Sequence, residues 1–399
     1  MTQAVNPLKT YYAPRRRSND FFLEKERQGV SWEEKKIKDL LDLSGVSVNG
    51  SKPSDIQVYD KRFYHRVVSE GSLGLGESYM DGWWDCPSLD GFFSKILSSG
   101  ISRQVQPMWL ELGKVLLAYL TNYPKSRAYD VGKVHYDLGN EFYQAMLGDS
   151  MVYSCGYWKE VDSLDAAQEA KFELVCRKLN LQKGQTILDI GLGWGSFAKF
   201  AAQHYGVRVE GITISHEQAE FSQKMCAGLP VTVKYQDYHD IDGTFDHIVS
   251  IGMFEHVGYK NYCDYMKIVH RCLADKGLFL LHTIGSLKST VGTDPWMHKY
   301  IFPNSMIPSM ERIARASAGL FVMEDVHNFG ADYDKTLMAW YRNFQDNWPK
   351  FSKDYGDQFF RMWRYYLLMC AGLFRSRRNQ VWQVVFSKQG VPGGYRSIR

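Results

Sequence analysis

The segment TILDIGLGWGS, Thr186 to Ser196, sets a carboxylate, Asp189, just ahead of three glycines at alternate positions, Gly191, Gly193 and Gly195. Glycine adopts backbone conformations closed to other residues and lets a ligand approach the main chain. The G-x-G-x-G spacing does not meet the dinucleotide fingerprint G-x-G-x-x-G. Taken alone, the stretch fits a nucleotide-type site and a purely structural turn equally well.

The surrounding elements must decide. Thr186–Ile190 is a short, β-branched apolar run that reads as a buried strand, and Ser196–Tyr205 follows the turn as a helix. The pattern then repeats: strand 207–214, helix from Glu217, strand 231–236, strand 245–251, helix 262–273 and strand 278–283. Strands alternating with helices predict an α/β fold with a mainly parallel sheet covered on both faces. Residues 294–318 read as a loop-and-helix insertion able to cover the site. Strand candidates 321–328 and 381–387, separated by long aromatic helices, suggest an antiparallel edge. Ligands of such sheets sit beyond the carboxyl ends of the strands.

At 399 residues the chain exceeds what one core usually holds, so two domains are expected. Residues 1–30 lack periodicity and read as a mobile tail. Residues 31–115 form a small, mostly helical domain, with helices over 32–43, 92–97 and 105–120. The glycine-rich stretch 71–85 reads within it as irregular and tightly turned. A linker over 116–132 leads to the catalytic domain, 133–399. Seven cysteines without CxxC pairs, and no signal peptide, point to a reducing cytosol with neither disulfides nor a metal site. No apolar run approaches the ~20 residues of a membrane span. The basic clusters Arg15–Arg17 and Arg375, Arg377 and Arg378 could meet an anionic lipid surface or form ordinary solvated faces. No nucleic-acid-binding motif accompanies them.

The Asp189–Gly195 pattern resembles motif I of class I S-adenosylmethionine methyltransferases. GSLGLGESYMDGWWD, HYDLGNEFY, YSCGYW, GITIS, SIGMFEHVG, LLHTIG, DPWMHKYIFPN, HNFGADYDKTL and WQVVFS together resemble the bacterial cyclopropane fatty acid synthases, in register from about residue 31 to the end. Leu192 departs from that pattern, which usually has cysteine there, and should alter packing without removing the site. The resemblance implies methylene transfer from S-adenosylmethionine to a cis double bond of an acyl chain esterified in membrane phospholipid. It further implies a carbocation and a base, bicarbonate, held by Cys155, Glu255, His282, Ile284 and Tyr333. His282, Tyr333 and the N–H groups of Cys155 and Ile284 can donate to such an anion; an ionised Glu255 can only accept its O–H. Aromatic faces could stabilise the cation, with Tyr143, Tyr153, Tyr157, Trp158, Tyr300 and Phe302 as candidates.

For the cofactor, the same resemblance implies Tyr153 and Ser154 over the methionine part, Gly191, Gly193, Trp194 and Gly195 beneath it, and Thr213 and Gln218 after the second strand. Glu210 is a weaker alternative there. Gln236, Asp237 and Tyr238 should border the adenine. Cys370 matches a cysteine sometimes proposed as catalytic in relatives, but its apolar setting suggests pocket lining. Trp83, Trp84 and the helix 359–374 could admit the lipid, or the tryptophans could pack a domain interface. A cytoplasmic homodimer at the inner face of the membrane is implied by the resemblance. Two other activities stay open: an acyl-chain methyltransferase giving branched lipids, and a lipid-binding scaffold without catalysis.

Overall fold

The computed structural model describes residues 29–100, 138–290, 292–303 and 305–399. The expected tail, linker and helix 105–120, with Arg15–Arg17, lie wholly or almost wholly outside these residues. The N-terminal unit runs α1 (Trp32–Asp42), β1 (Gln57–Val58), α2 (Arg62–Glu70), α3 (Ser72–Met80), β2 (Trp84–Asp85) and α4 (Leu89–Ser99). Next come α5 (Asn140–Leu147), α6 (Leu164–Lys178), β3 (Thr186–Ile190), α7 (Ser196–Tyr205), β4 (Arg208–Thr213), α8 (His216–Met225), β5 (Val231–Tyr235) and β6 (Phe245–Ile251). The chain closes with α9 (Tyr262–Cys272), β7 (Leu273–Ser286), α10 (Pro295–Tyr300), α11 (Met310–Ser317), β8 (Val322–Asn328), α12 (Ala331–Arg375) and β9 (Asn379–Ser387).

The large sheet has the order β5-β4-β3-β6-β7-β9-β8, parallel from β5 to β7, with β9 antiparallel to both β7 and β8. Strand residues alternate between its faces. Leu188, Ile190, Ile212 and Ile248 join the core beneath α9, while Ile187, Val209, Val249 and Leu280 join the core shared with α6 and α7. Both faces are apolar, as a buried parallel sheet requires.

The stretch 71–85 differs from the irregular segment expected. Residues 72–80 form the helix α3, because two of its glycines allow close approach. A Cβ on Gly74 would lie 2.4 Å from the Arg66 carbonyl oxygen, and one on Gly76 2.3 Å from the Trp296 ring. Glycine here serves packing between elements more than turning.

The N-terminal unit is docked on α12. Gly372 faces Phe93 of α4, where an added Cβ would lie 2.5 Å from the phenylalanine Cβ. Asp85 pairs with Arg361 at 2.8 Å and with Arg364 at 3.0 Å. Arg375 joins Asp90 to Asp334, and Arg378 donates to the Leu97 carbonyl. Two members of the expected basic cluster therefore tie the N-terminal unit to the end of α12 and the turn after it. Trp84 is fully buried among Phe63, Tyr79 and Phe92, with its indole N–H on Leu75 and Ser78, and is a core residue with no surface to offer a membrane. Trp83 lies under the guanidinium groups of Arg62 and Arg66. The helix α12 bends at Gly356, whose φ of 74° interrupts it.

Candidate active site

The β3–α7 turn builds the floor of the site. Gly191, Gly193 and Gly195 all have positive φ, at 85°, 58° and 89°, which explains the residue type at each. Leu192 lines the cavity that opens from the turn and also packs on β4, where a Cβ on Gly211 would meet its side chain at 2.5 Å. Its N–H donates to the Ile212 carbonyl at 3.0 Å, so leucine is accommodated without loss of the turn.

One cavity of about 850 Å³ extends from this turn. Its lining includes Tyr153, Ser154, Asp189, Gly191, Gly193, Trp194, Thr213, Gln218, Gln236, Asp237 and Tyr238, all expected at the cofactor. Gly195 does not line it, because it is the N-cap of α7 and faces Ser222 and Cys226. Glu210 is spent on an ion pair with Lys234 at 2.7 Å. Behind Thr213, its hydroxyl donates to Gln218 at 2.9 Å and Ser215 caps α8. The loop after β4 is thereby fixed at the sheet's carboxyl edge.

The same cavity reaches Cys155, Glu255, His282, Ile284, Tyr333 and Cys370. Parallel pairing of β6 with β7 brings Ile251 opposite His282, so the strand ends carrying Glu255 and His282 come side by side. The Ile284 N–H donates to Glu255 Oε1 at 2.6 Å. That N–H was expected to face an anion; it is committed instead to the carboxylate. Glu255 Oε2 is buried and has no hydrogen-bond donor among the described residues. Burial raises the Glu255 carboxyl to about 7, against the lowering effect of the Ile284 bond.

Burial, helped by the positive charges of Lys171 and Lys178, holds the His282 imidazole well below its ordinary value. The neutral ring has Nδ1 at 3.3 Å from the Gln383 amide nitrogen. With that amide donating, the ring proton sits on Nε2. Burial raises the Tyr333 hydroxyl well above its usual range, and Cys155, Tyr153 and Glu255 act the same way. The Cys370 thiol is likewise raised by burial, which leaves it protonated and a wall of the cavity. The Cys155 thiol donates to the Gly156 carbonyl at 3.2 Å and is also raised by burial.

Of the six aromatics proposed to face a cation, only Tyr153 and Phe302 line the cavity. Tyr143 backs Tyr153, with ring centroids 5.6 Å apart. Tyr157 packs on His327 and Phe329, Trp158 donates to Thr336, and Tyr300 donates to Glu77. Tyr366, not singled out from sequence, lines the cavity with its hydroxyl 2.8 Å from that of Tyr153.

A second set also escaped sequence reading. Lys171 of α6 is wholly buried, and its ammonium donates to Ser154 Oγ at 3.0 Å and Gln168 Oε1 at 2.8 Å. Gln168 in turn donates to the Ser154 carbonyl at 2.9 Å. Their signal in sequence was faint: two polar residues on the face of α6 that carries Ala167, Leu174 and Val175. Asp189 lies nearby with Oδ2 buried and without a donor among the described residues. Burial raises Asp189 to about 7 and lowers Lys171 to about 7, and each charge opposes the other's shift.

The N-terminal unit contributes to the same lining through Ile37, Leu41, Val67, Leu75, Phe93 and Ile96. The space thus joins a polar end, at the strand termini, to an apolar end between α12 and the N-terminal helices. Two orphaned carboxylate oxygens and a glycine turn fit a cationic, hydrogen-bonding ligand and a small O–H donor at the polar end. The apolar end fits a hydrocarbon.

A family profile described as mycolic acid cyclopropane synthetase matches residues 124–384. The chain is 53% identical over 362 residues to the cyclopropane-fatty-acyl-phospholipid synthase of Escherichia coli K12, covering 90% of this chain and 94% of that one. It is 37% identical over 273 residues to a probable fatty acid methyltransferase of Pseudomonas putida, covering 65% of this chain and 69% of the relative. Among solved structures, a mycolic acid cyclopropane synthase complexed with SAH and CTAB superposes with a TM-score of 0.62 at 31% identity, covering 67% of this chain and 99% of that one. The cyclopropane synthase MmaA2 from Mycobacterium tuberculosis gives 0.61 at 31% identity over 65% of this chain and 98% of that one. With the family profile spanning all but the last three residues of the sheet's final strand, together with the polar-end residues from Cys155 to Cys370, the chain belongs to the mycolic acid cyclopropane synthetase family.

Proposed function

We propose that this enzyme transfers a methylene unit from S-adenosylmethionine to the cis double bond of unsaturated acyl chains in membrane phospholipids, with bound bicarbonate as the base. The observation that carries it is the single cavity joining the glycine turn, the Glu255–His282 pair and an apolar section lined by α12 and the N-terminal helices. Identity to the E. coli synthase over nearly the whole length supports the substrate class.

When bound, S-adenosylmethionine supplies the methyl carbon. An isolated alkene is a poor nucleophile, so the chain must bring the two together in a dry space, where positioning contributes about 7–11 kcal/mol. The buried turn, Trp194 and Tyr153 exclude water, and the faces of Tyr153 and Phe302 favour positive charge by about 0.5–2 kcal/mol each. The surplus proton then needs an acceptor. Glu255 Oε2 is placed to accept an O–H, while His282 Nε2 and the Tyr333 hydroxyl donate; together they would orient a bicarbonate. Retention of Cys155, Glu255, His282 and Tyr333 favours ring closure over a methyl branch.

The same reading divides the chain into an N-terminal lipid-associated domain and a catalytic domain, and places it as a homodimer at the inner membrane surface. Among the described residues no helix is long and apolar enough to cross a membrane. Expression in bacteria lacking such an activity, followed by gas chromatography–mass spectrometry of fatty acid methyl esters, tests the function. Acids heavier by one CH₂ with the double bond gone are expected; unchanged unsaturated acids refute it. Vesicle cosedimentation and light scattering test membrane docking and the dimer.

A further inference from the structure

Lys171 is the buried charge that the chemistry above leaves unused. Its ammonium is wholly inaccessible to solvent and makes its hydrogen bonds to two neutral oxygens, Ser154 Oγ and Gln168 Oε1, with the face of Phe172 4.5 Å away. A lone charge in such a setting is costly unless another charge balances it. Asp189 is near enough to act on it, but among the described residues its Oδ2 has no donor, so that oxygen is not joined to the ammonium. Lys171 also lines the cavity.

The direction of its field identifies what it serves. The groups its charge acts on include Cys155 and His282, which stand at the polar end beside Glu255. The other cation that acts on His282, Lys178, is already paired with Asp325 at 3.8 Å; His282 itself is neutral, Tyr333 keeps its proton, and Glu255 carries either no charge or a negative one. An anion held there would have only neutral donors to balance it. Lys171 also grips Ser154, whose neighbours are Tyr153 and Cys155, and Gln168 holds the Ser154 backbone from the other side.

We propose that Lys171, protonated when the anion is bound, is the counter-charge for a bicarbonate-type anion at the Glu255–His282 end, and that through Ser154 it sets the position of Tyr153 and Cys155. This rests on the carbonate reading given above. Lys171 is thus a positioning residue, acting by charge on the anion and by hydrogen bond on the loop.

Two variants separate these roles. Lys171→Gln keeps a donor for Ser154 and loses the charge, while Lys171→Met loses both. Binding of S-adenosylhomocysteine by calorimetry reports the fold and the cofactor cradle, and is expected within about threefold of wild type for Lys171→Gln. The bicarbonate concentration giving half-maximal turnover in CO₂-depleted buffer is expected to rise at least about tenfold in both variants, the order of one lost charge contact. The rise in melting temperature that bicarbonate gives the S-adenosylhomocysteine complex should be absent from both. A wild-type bicarbonate response in Lys171→Gln overturns the proposal. So does loss of S-adenosylhomocysteine binding in both variants, which would assign the charge to the cofactor or to folding. Should the wild-type enzyme itself be indifferent to bicarbonate, the carbonate reading fails first and independently of Lys171.

Discussion

The Ile284 N–H and Glu255 Oε1 are joined by a 2.6 Å hydrogen bond that locks one carboxylate oxygen and leaves the other, Oε2, buried without a donor among the described residues. The bond fixes the carboxyl's rotation across the ends of β6 and β7. Glu255 lines the cavity with its carboxyl held in one orientation, which a proton acceptor or orienter needs.

Replacing Glu255 with Gln preserves the shape and an oxygen for Ile284 while removing the negative charge. S-adenosylhomocysteine affinity should stay near wild type, and turnover should fall by about 10²–10⁴-fold, the usual scale for a lost acid–base partner. Added bicarbonate should not restore it. Wild-type turnover measured on vesicles would remove Glu255 from the mechanism.

The same carboxyl makes stability depend on pH. Its folded value, about 7, is raised above the ordinary 4.5, so the folded state holds a proton that the unfolded chain releases over that window. Its stabilising effect is complete below about 4.5 and is lost as pH rises through about 7, an effect on the order of 3 kcal/mol. Chemical denaturation at pH 5 and pH 8 should show a smaller loss between the two in Glu255→Gln than in wild type. Turnover should rise through the same window as Glu255 ionises.

Gly372→Ala tests the docking of α4 on α12. Alanine gains about 1 kcal/mol of helix propensity. Against that, its Cβ would lie 2.5 Å from Phe93 Cβ and 3.0 Å from the Asp90 carbonyl oxygen, and overpacking of this kind costs about 1–3 kcal/mol. Backbone cannot move aside as a flexible side-chain end can, so net destabilisation is expected. A lower melting temperature and faster proteolysis between the two units would confirm it; a raised melting temperature would contradict it.

Leu192→Cys tests the one departure of the turn from the pattern that the resemblance implies. Leu192 packs on Gly211, so the loss is one of buried volume, about 1–3 kcal/mol of stability. The turn's φ values and hydrogen bonds belong to the backbone, and S-adenosylmethionine affinity should stay within about threefold. A larger loss measured by calorimetry would make the leucine part of the cofactor contact.

Cys370→Ala should leave turnover within a few-fold of wild type. Its thiol is raised by burial and stays protonated, so the side chain can fill space but not attack. A fall beyond about 10²-fold in vesicle assays would reinstate it as a catalytic group.

How much of this was legible beforehand follows from which residues carry local signals. Strands Thr186–Ile190 and Phe245–Ile251 fall where apolar runs between glycine and polar punctuation place them, and helix Ser196–Tyr205 follows its turn. The residues from Tyr153 to Tyr238 that were expected at the cofactor and that line the cavity could be named because nearly all sit at a strand end or in a quoted motif, and strand ends are where such folds bind ligands. Local pattern failed where the cause was a distant neighbour. Gly74 and Gly76 read as breakers, yet Arg66 and Trp296 make glycine necessary inside a helix. Trp84 could be read as a lipid entrance or an interface residue and Arg375 as lipid-facing or solvated, and Tyr79 and Asp90 decide against the lipid in both. Lys171 sat on an apolar helix face, and only the fold revealed that its ammonium meets Ser154 and faces a cavity. Sequence by itself determined the order of elements and the chemical types at the sheet edge, because both are written in residues close along the chain. Tertiary structure alone decided which charges are buried, which N–H is already taken and which aromatics reach the cavity, because burial and hydrogen-bond partners depend on residues brought together from far apart.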